Sequence, residues 1–318
     1  MDPAAFRADV FGEPAALAAM LDAYAAPGSP LRDVGPLDGR RVVFIGMGSS
    51  RFAALPAAAA LRARGIFAVA ELASTGSPTL PAADVVAIGI SATGATAETV
   101  EALERHRGVS RTVAITNHPD APVAATADAV LPLLAGEETG GVSCRTFQTT
   151  VALLHLLTGT PAEALRAAPE SQAELFARHE SWVPELLGVL DRTVYTIAPD
   201  ERIASALQSA LMFREGPRVA ADATETGDWL HVDVYLSKHP GYRALLFPGS
   251  RFDAGVMEWA RERESTIVAI GWPVEGAALT IPFAGAEDPL VASLVETSVA
   301  ELAAAEWWAR RLAAGAMP

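Results

Sequence analysis

Hydroxyl side chains crowd one short stretch of this 318-residue chain, Ser91-Ala92-Thr93-Gly94-Ala95-Thr96-Ala97-Glu98-Thr99. The apolar run Val85–Ile90 just before it reads as a buried strand. Val100 and Leu103 after it fall at helical spacing. The stretch therefore sits on a strand-to-helix turn. Hydroxyls, a glycine and the free backbone N–H groups of a helix start together suit the holding of a phosphate. A loop that merely caps its helix is the ordinary alternative for such a composition.

Other reactive side chains are scarce. Lys238 is the only lysine, so a Schiff-base mechanism has a single candidate. Cys144 is the only cysteine, which excludes an intramolecular disulfide and a metal site built from several thiolates. A nucleophilic cysteine needs a nearby base or cation; a buried small side chain is the plainer reading of Cys144. No metal and no cofactor is expected. The net charge of −14 argues against nucleic acid as a partner. A small anion remains compatible with it, because loop amides and hydroxyls act locally.

These residues need a scaffold, and the composition provides for one. With 51% hydrophobic and 19% charged residues, the chain can fill two similar-sized domains without long disordered tails. Met1-Asp2-Pro3-Ala4-Ala5-Phe6-Arg7 lacks a signal-peptide pattern, and no apolar run approaches the roughly 20 residues that cross a bilayer. A soluble, cytoplasmic protein with no membrane partner is expected.

Residues 1–27 read as a helical lead-in, with Leu17, Met20, Leu21 and Tyr24 at helical spacing. A first domain over 28–159 then alternates strands and helices. Its strands are expected at 41–45, 66–70, 85–90, 113–116 and 130–133, with Gly46-Met47-Gly48-Ser49-Ser50 as a tight turn and a helix from about Phe52. Residues 160–187 read as a helical connector. The alternation restarts in a second domain over 188–318, with strands at 193–197, 243–247, 266–270 and 279–282 and one long helix over 290–312. Pro282 suits an edge strand. This rhythm predicts an α/β fold with parallel sheets covered on both faces. Phe247-Pro248-Gly249-Ser250 is the counterpart, in the second half, of Ile90-Ser91 in the first.

Over roughly residues 40–300 the chain resembles the double sugar-isomerase (SIS) proteins, in particular the isomerase half of glucosamine-6-phosphate synthase. Gly46-Met47-Gly48-Ser49-Ser50 resembles the family's Cys-Gly-Thr-Ser loop, which puts Ser49 and Ser50 against a sugar. Ser91-Ala92-Thr93-Gly94-Ala95-Thr96 resembles the phosphate loop Ser-Gln-Ser-Gly-Glu-Thr, with Ser91, Thr93 and Thr96 keeping its hydroxyls. The segment from Gly136 to Ser143 resembles one that closes over the substrate. Residues 206–231 align without a gap with the segment carrying a catalytic glutamate and histidine, which land on Glu215 and His231.

The resemblance implies two SIS-type doubly wound parallel sheets flanked by helices, a three-layer αβα architecture. It implies a phosphorylated sugar or amino sugar as ligand, and a homodimer in which His231 reaches the site from the neighbouring subunit. Aldose–ketose interconversion moves a proton between adjacent carbons, work for one carboxylate acting as base and then acid. Glu215 takes that role, while His231, as a proton shuttle, opens the sugar ring.

The chain also departs from the pattern. The family's tail, with its imine-forming lysine, has no counterpart in the stretch from Trp307 to Pro318, and no glutaminase domain is expected ahead of the strand near residue 41. Ammonia-dependent synthesis by the usual route is therefore not expected. A family lysine is Met212, its His-Gly-Pro is His231-Val232-Asp233, and its phosphate-loop Gln and Glu are Ala92 and Ala95. Lys238 is either a replacement amine or an ordinary solvated lysine. Trp307 and Trp308 read as packing residues. The expected function is isomerase, or deaminase or deglycase, on an (amino)sugar phosphate by enolisation. The alternative is a non-catalytic phosphosugar sensor.

Overall fold

Runs of valine, isoleucine and alanine make the strands of a computed structural model that describes residues 1–190 and 192–316. Met317 and Pro318, the last residues of the expected second domain, lie outside the described residues. The first sheet holds β1 (Arg41–Gly46), β2 (Phe67–Leu72), β3 (Val85–Ile90), β4 (Arg111–Thr116) and β5 (Ala129–Pro132). All its pairings are parallel and the spatial order is β2-β1-β3-β4-β5. β3, at the centre, is buried at all six positions, as a strand covered on both faces must be.

The second sheet holds β6 (Thr193–Ala198), β7 (Ala220–Glu225), β8 (Arg243–Leu246), β9 (Thr266–Gly271) and β10 (Leu279–Pro282). It is also parallel, in the order β7-β6-β8-β9-β10, which repeats the winding of the first sheet strand for strand. Each sheet is flanked by helices in a three-layer α/β/α arrangement. β8 thus occupies the place of β3, and the loop beginning at Phe247 occupies that of Ser91. β10 is an edge strand, where Pro282 removes no needed ladder donor.

Contacts gather the chain into two units, one around each sheet. The first comprises 15–137 and 145–165; the second comprises 1–14, 138–144 and 166 onward. The lead-in folds as helices Pro3–Phe11 and Glu13–Ala25, and the connector as helices Ala167–Ala177 and His179–Val189. No helix among the described residues is long and apolar enough to cross a membrane.

Three local expectations are corrected. β7 was not expected, because Ala220-Ala221-Asp222-Ala223-Thr224-Glu225 offers no apolar run; it forms as an edge strand that pairs only with β6 and is nowhere fully buried. The helix after β1 starts at Ser49, three residues before Phe52, because Gly48 turns the chain at φ +49°. The long terminal helix is two, Pro289–Val295 and Thr297–Ala313, parted at Glu296, whose carboxylate is turned into a buried ion pair with Arg202.

Candidate functional site

In the first sheet the strand order reverses between β1 and β3, and a parallel sheet opens a crevice beyond its carboxyl ends at such a switch point. The loops after these two strands carry the hydroxyls singled out above. Gly46 and Ile90 are register partners at the strand ends, so the loops leave the sheet side by side. A Cβ on Gly46 would lie 3.0 Å from Ser50 Cβ and 3.3 Å from the Ile90 carbonyl, so glycine permits that approach. Ser49 and Ser50, both half-buried, begin the helix Ser49–Ala63, whose N-terminus no side chain caps.

The second loop is rigid. Ser91 N–H donates to the Ile115 carbonyl at 3.0 Å, Asn117 N–H to Ala92 at 3.1 Å, and Val123 N–H to Gly94 at 2.9 Å. Gly94 sits at φ +67° against Ala121 and Thr116. Ser91 is buried, and its Oγ lies 3.0 Å from Thr96 Oγ1. Thr96 is the N-cap residue of the helix Ala97–Glu104, yet its side chain makes no capping bond. The first-turn amides of that helix are thus left without a side-chain acceptor. Thr93 Oγ1, exposed, accepts from Ala95 N–H at 3.3 Å. Thr99 Oγ1 is buried with no hydrogen-bond partner among the described residues. Ser49, Ser50, Ser91, Thr93 and Thr96 therefore flank one switch point, with two uncapped helix starts. That arrangement can hold a small anion.

The corresponding switch point of the second sheet is filled by the protein itself. Gly249 and Ser250 N–H donate to Asp253 Oδ2 at 2.7 and 3.1 Å, so a carboxylate already occupies the loop amides. Arg202, buried, pairs with Glu296, donates to the Pro248 carbonyl, and lies 5.9 Å from the Trp272 ring centre.

Ser143, Glu215 and His231 belong to the second unit. The segment 138–144 there is pinned down. Asp9 Oδ2 accepts from Thr139 and Gly140 N–H, each at 2.7 Å, and Cys144 N–H donates to Glu138 Oε1 at 2.7 Å. A Cβ on Gly140 would fall 2.3 Å from Phe6 Cα. Gln208 Nε2 donates to the Ser143 carbonyl at 3.0 Å, which ties Ser143 to the helix Ile203–Glu215. Asp9, Gln208 and Asp253 were missed from sequence. A signal existed for Asp9, a lone carboxylate between Phe6 and Val10 on the buried face of its helix.

Glu215 ends the helix that precedes β7, whereas His231 follows the short helix Thr226–Trp229 that succeeds β7. A parallel connection places them beyond opposite ends of that strand, whose six residues extend about 20 Å. The chain does not bring these two together. Glu215 is half-buried, and its carboxyl makes no hydrogen bond among the described residues. Burial raises its pKa, against the pull of Arg214. His231 is exposed on a turn held by buried Trp229, whose Nε1 donates to Tyr242 Oη at 2.8 Å.

Cys144 is buried. Lys238 is exposed, its Nζ 5.1 Å from the Tyr235 ring centre. Trp307 packs on Phe213 and Trp308 on Phe6.

Residues 37–159 match the model of the SIS domain. Glutamine–fructose-6-phosphate aminotransferase (isomerizing) of Aeropyrum pernix is 28% identical over 260 residues, 75% of this chain and 42% of the relative. The chain thus spans less than half of the length of the curated relatives it matches. Tagatose-6-phosphate ketose/aldose isomerase of Escherichia coli superposes with a TM-score of 0.82 at 15% identity, covering 94% of this chain and 92% of that one. Glucosamine-6-phosphate deaminase of Thermotoga maritima gives a TM-score of 0.75 at 18% identity, covering 96% and 95%. Residues 37–159 thus form an SIS domain, the chain is related in sequence over 260 residues to glutamine–fructose-6-phosphate aminotransferase, and at least 94% of it shares the fold of the two solved enzymes.

Proposed function

We propose that this protein binds a phosphorylated sugar or amino sugar and rearranges it by enolisation, as an isomerase or deaminase. The observation that carries the reading is the loop after β3. Thr96 turns its hydroxyl to Ser91 instead of capping its helix, which leaves N–H donors and hydroxyls for an anion. The names of the isomerase and deaminase that share the fold support the substrate class. Fixed loop donors on the phosphate supply binding energy remote from the reacting carbons. Ser49, Ser50 and Ser143 contact the sugar. Glu215 moves the C1/C2 proton, which its freedom from hydrogen bonds and raised pKa suit. His231 opens the ring. As the resemblance implies, the working form is a homodimer in which each site takes His231 from the neighbour, a reading supported by the placement of the two at opposite ends of β7. The same reading places the protein in the cytoplasm, where such metabolites are handled.

The test is thermal-shift screening against phosphorylated ketoses, aldoses and amino sugars, followed by solvent-deuterium incorporation into whichever ligand stabilises the protein. Stabilisation by none of them would sink the reading. One observation favours a second reading, a phosphosugar-binding sensor without catalysis: within one chain the proposed acid–base groups are far apart. Binding with no deuterium exchange would select it.

A further inference from the structure

A cationic feature lies in the unit around the second sheet. A recess of about 580 Å³ is lined by Arg192, Arg218 and Arg311, with Trp307, Leu187 and Leu190 among its walls. None of these residues belongs to the loops after β1 and β3. Three arginines line this one recess in a chain of net charge −14. Among the described residues none of the three is paired with a carboxylate. Arg311 makes one long bond, 3.4 Å to the Ala316 carbonyl, and its buried Nε has no partner.

Arg218 adds an independent observation. It adopts φ +54°, the left-handed region where a side chain costs free energy and glycine or asparagine is the usual occupant. The turn is closed by Val219 N–H donating to the Phe213 carbonyl at 2.9 Å. An arginine kept in a strained turn, beside two further unpaired arginines, points to a ligand for the guanidinium group.

We infer that this recess binds a phosphorylated small molecule through Arg192, Arg218 and Arg311. Forked N–H donors match phosphate oxygens in pairs, and guanidinium groups with no carboxylate partner have no ion pair to give up on binding. The flat face of Trp307 offers a wall for an apolar or ring-bearing part of the ligand. The inference does not depend on the reading of the loop after β3, because different residues carry it.

Pyrophosphate titrated calorimetrically into the Ser91→Ala/Thr96→Val protein, where the loop is disabled, tests it. One pyrophosphate per chain is expected. Adding Arg218→Gly should weaken it at least about tenfold while the melting temperature holds or rises, since glycine relieves the left-handed turn. Arg311→Leu, which keeps the packing, should weaken it similarly. Absence of binding, or affinity unchanged in both variants, overturns the proposal. Equal affinity for citrate would overturn the phosphate assignment. Sugar-phosphate stabilisation that needs Ser91 should survive Arg218→Gly, so the two readings fail separately.

Discussion

Thr96 Oγ1 lies 3.0 Å from Ser91 Oγ and caps nothing, although Thr96 stands at the N-cap of its helix. A threonine there normally accepts from the second or third amide of the helix. Here the two hydroxyls hold each other beside those amides. Thr96→Val keeps the shape and removes the hydroxyl, so stability should fall by only about 1 kcal/mol. Affinity for a sugar phosphate should fall at least about tenfold, because a charge-assisted hydrogen bond is lost. Ligand-induced thermal shifts of the two proteins read both effects.

Gly94→Ala attacks the same loop through its backbone. The added Cβ would stand 2.4 Å from Ala121 Cβ and 2.8 Å from Thr116 Oγ1, at a φ of +67°. Left-handed strain and overpacking together should cost about 2–4 kcal/mol. Urea unfolding with an unchanged m-value would register it; a cost below about 1 kcal/mol would mean that the loop is not packed as described.

The opposite loop is closed by its own carboxylate. Asp253→Ala leaves the Gly249 and Ser250 amides without their acceptor. Stability should drop by about 1–2 kcal/mol, with no change in sugar-phosphate affinity. Loss of that affinity would show that the second switch point takes part in binding.

Much of this was legible in the residues. The central strands announce themselves as unbroken apolar runs, and nine of the ten strands among the described residues are of that kind or close to it. β7 escaped because an edge strand with one partner requires no apolar run, only backbone pairing. The hydroxyl loop was visible as composition. Whether its threonine caps a helix or reaches back to Ser91 is a matter of one rotamer, which no spacing encodes. Asp9 and Gln208 hold the segment 138–144 from far along the chain, and such partnerships exist only once the chain has folded.

Glu215→Gln should abolish deuterium exchange while leaving ligand-induced stabilisation in place. Burial holds the Glu215 carboxyl above its ordinary range, with Arg214 opposing. As a base it must be ionised, so kcat/KM should rise with pH through that raised value. Exchange that survives Glu215→Gln would remove this residue from the chemistry.

The pH dependence of folding should come from another pair. Glu13 and Glu301 are each 1% exposed, and Glu13 Oε2 accepts from Gln172 Nε2 and, at 3.1 Å, from Ser298 Oγ. Burial pushes the Glu301 carboxyl up to about 7. Burial, and then repulsion by Glu301, hold Glu13 well above its ordinary range. A carboxyl whose folded pKa exceeds its unfolded value stabilises fully below the unfolded value, and that contribution is lost as pH rises through the folded one. For Glu301 the window runs from 4.5 to about 7. Above it, Glu301 is a buried carboxylate repelled by the nearby Glu138, and its charge holds the proton on Glu13. Glu301→Gln cannot ionise, and its amide oxygen still accepts from the protonated Glu13 carboxyl. The variant should therefore show a flatter stability curve across this window and be more stable than the parent at pH 8. Urea unfolding at a series of pH values gives both slopes, and parallel slopes would mean that Glu301 does not titrate there.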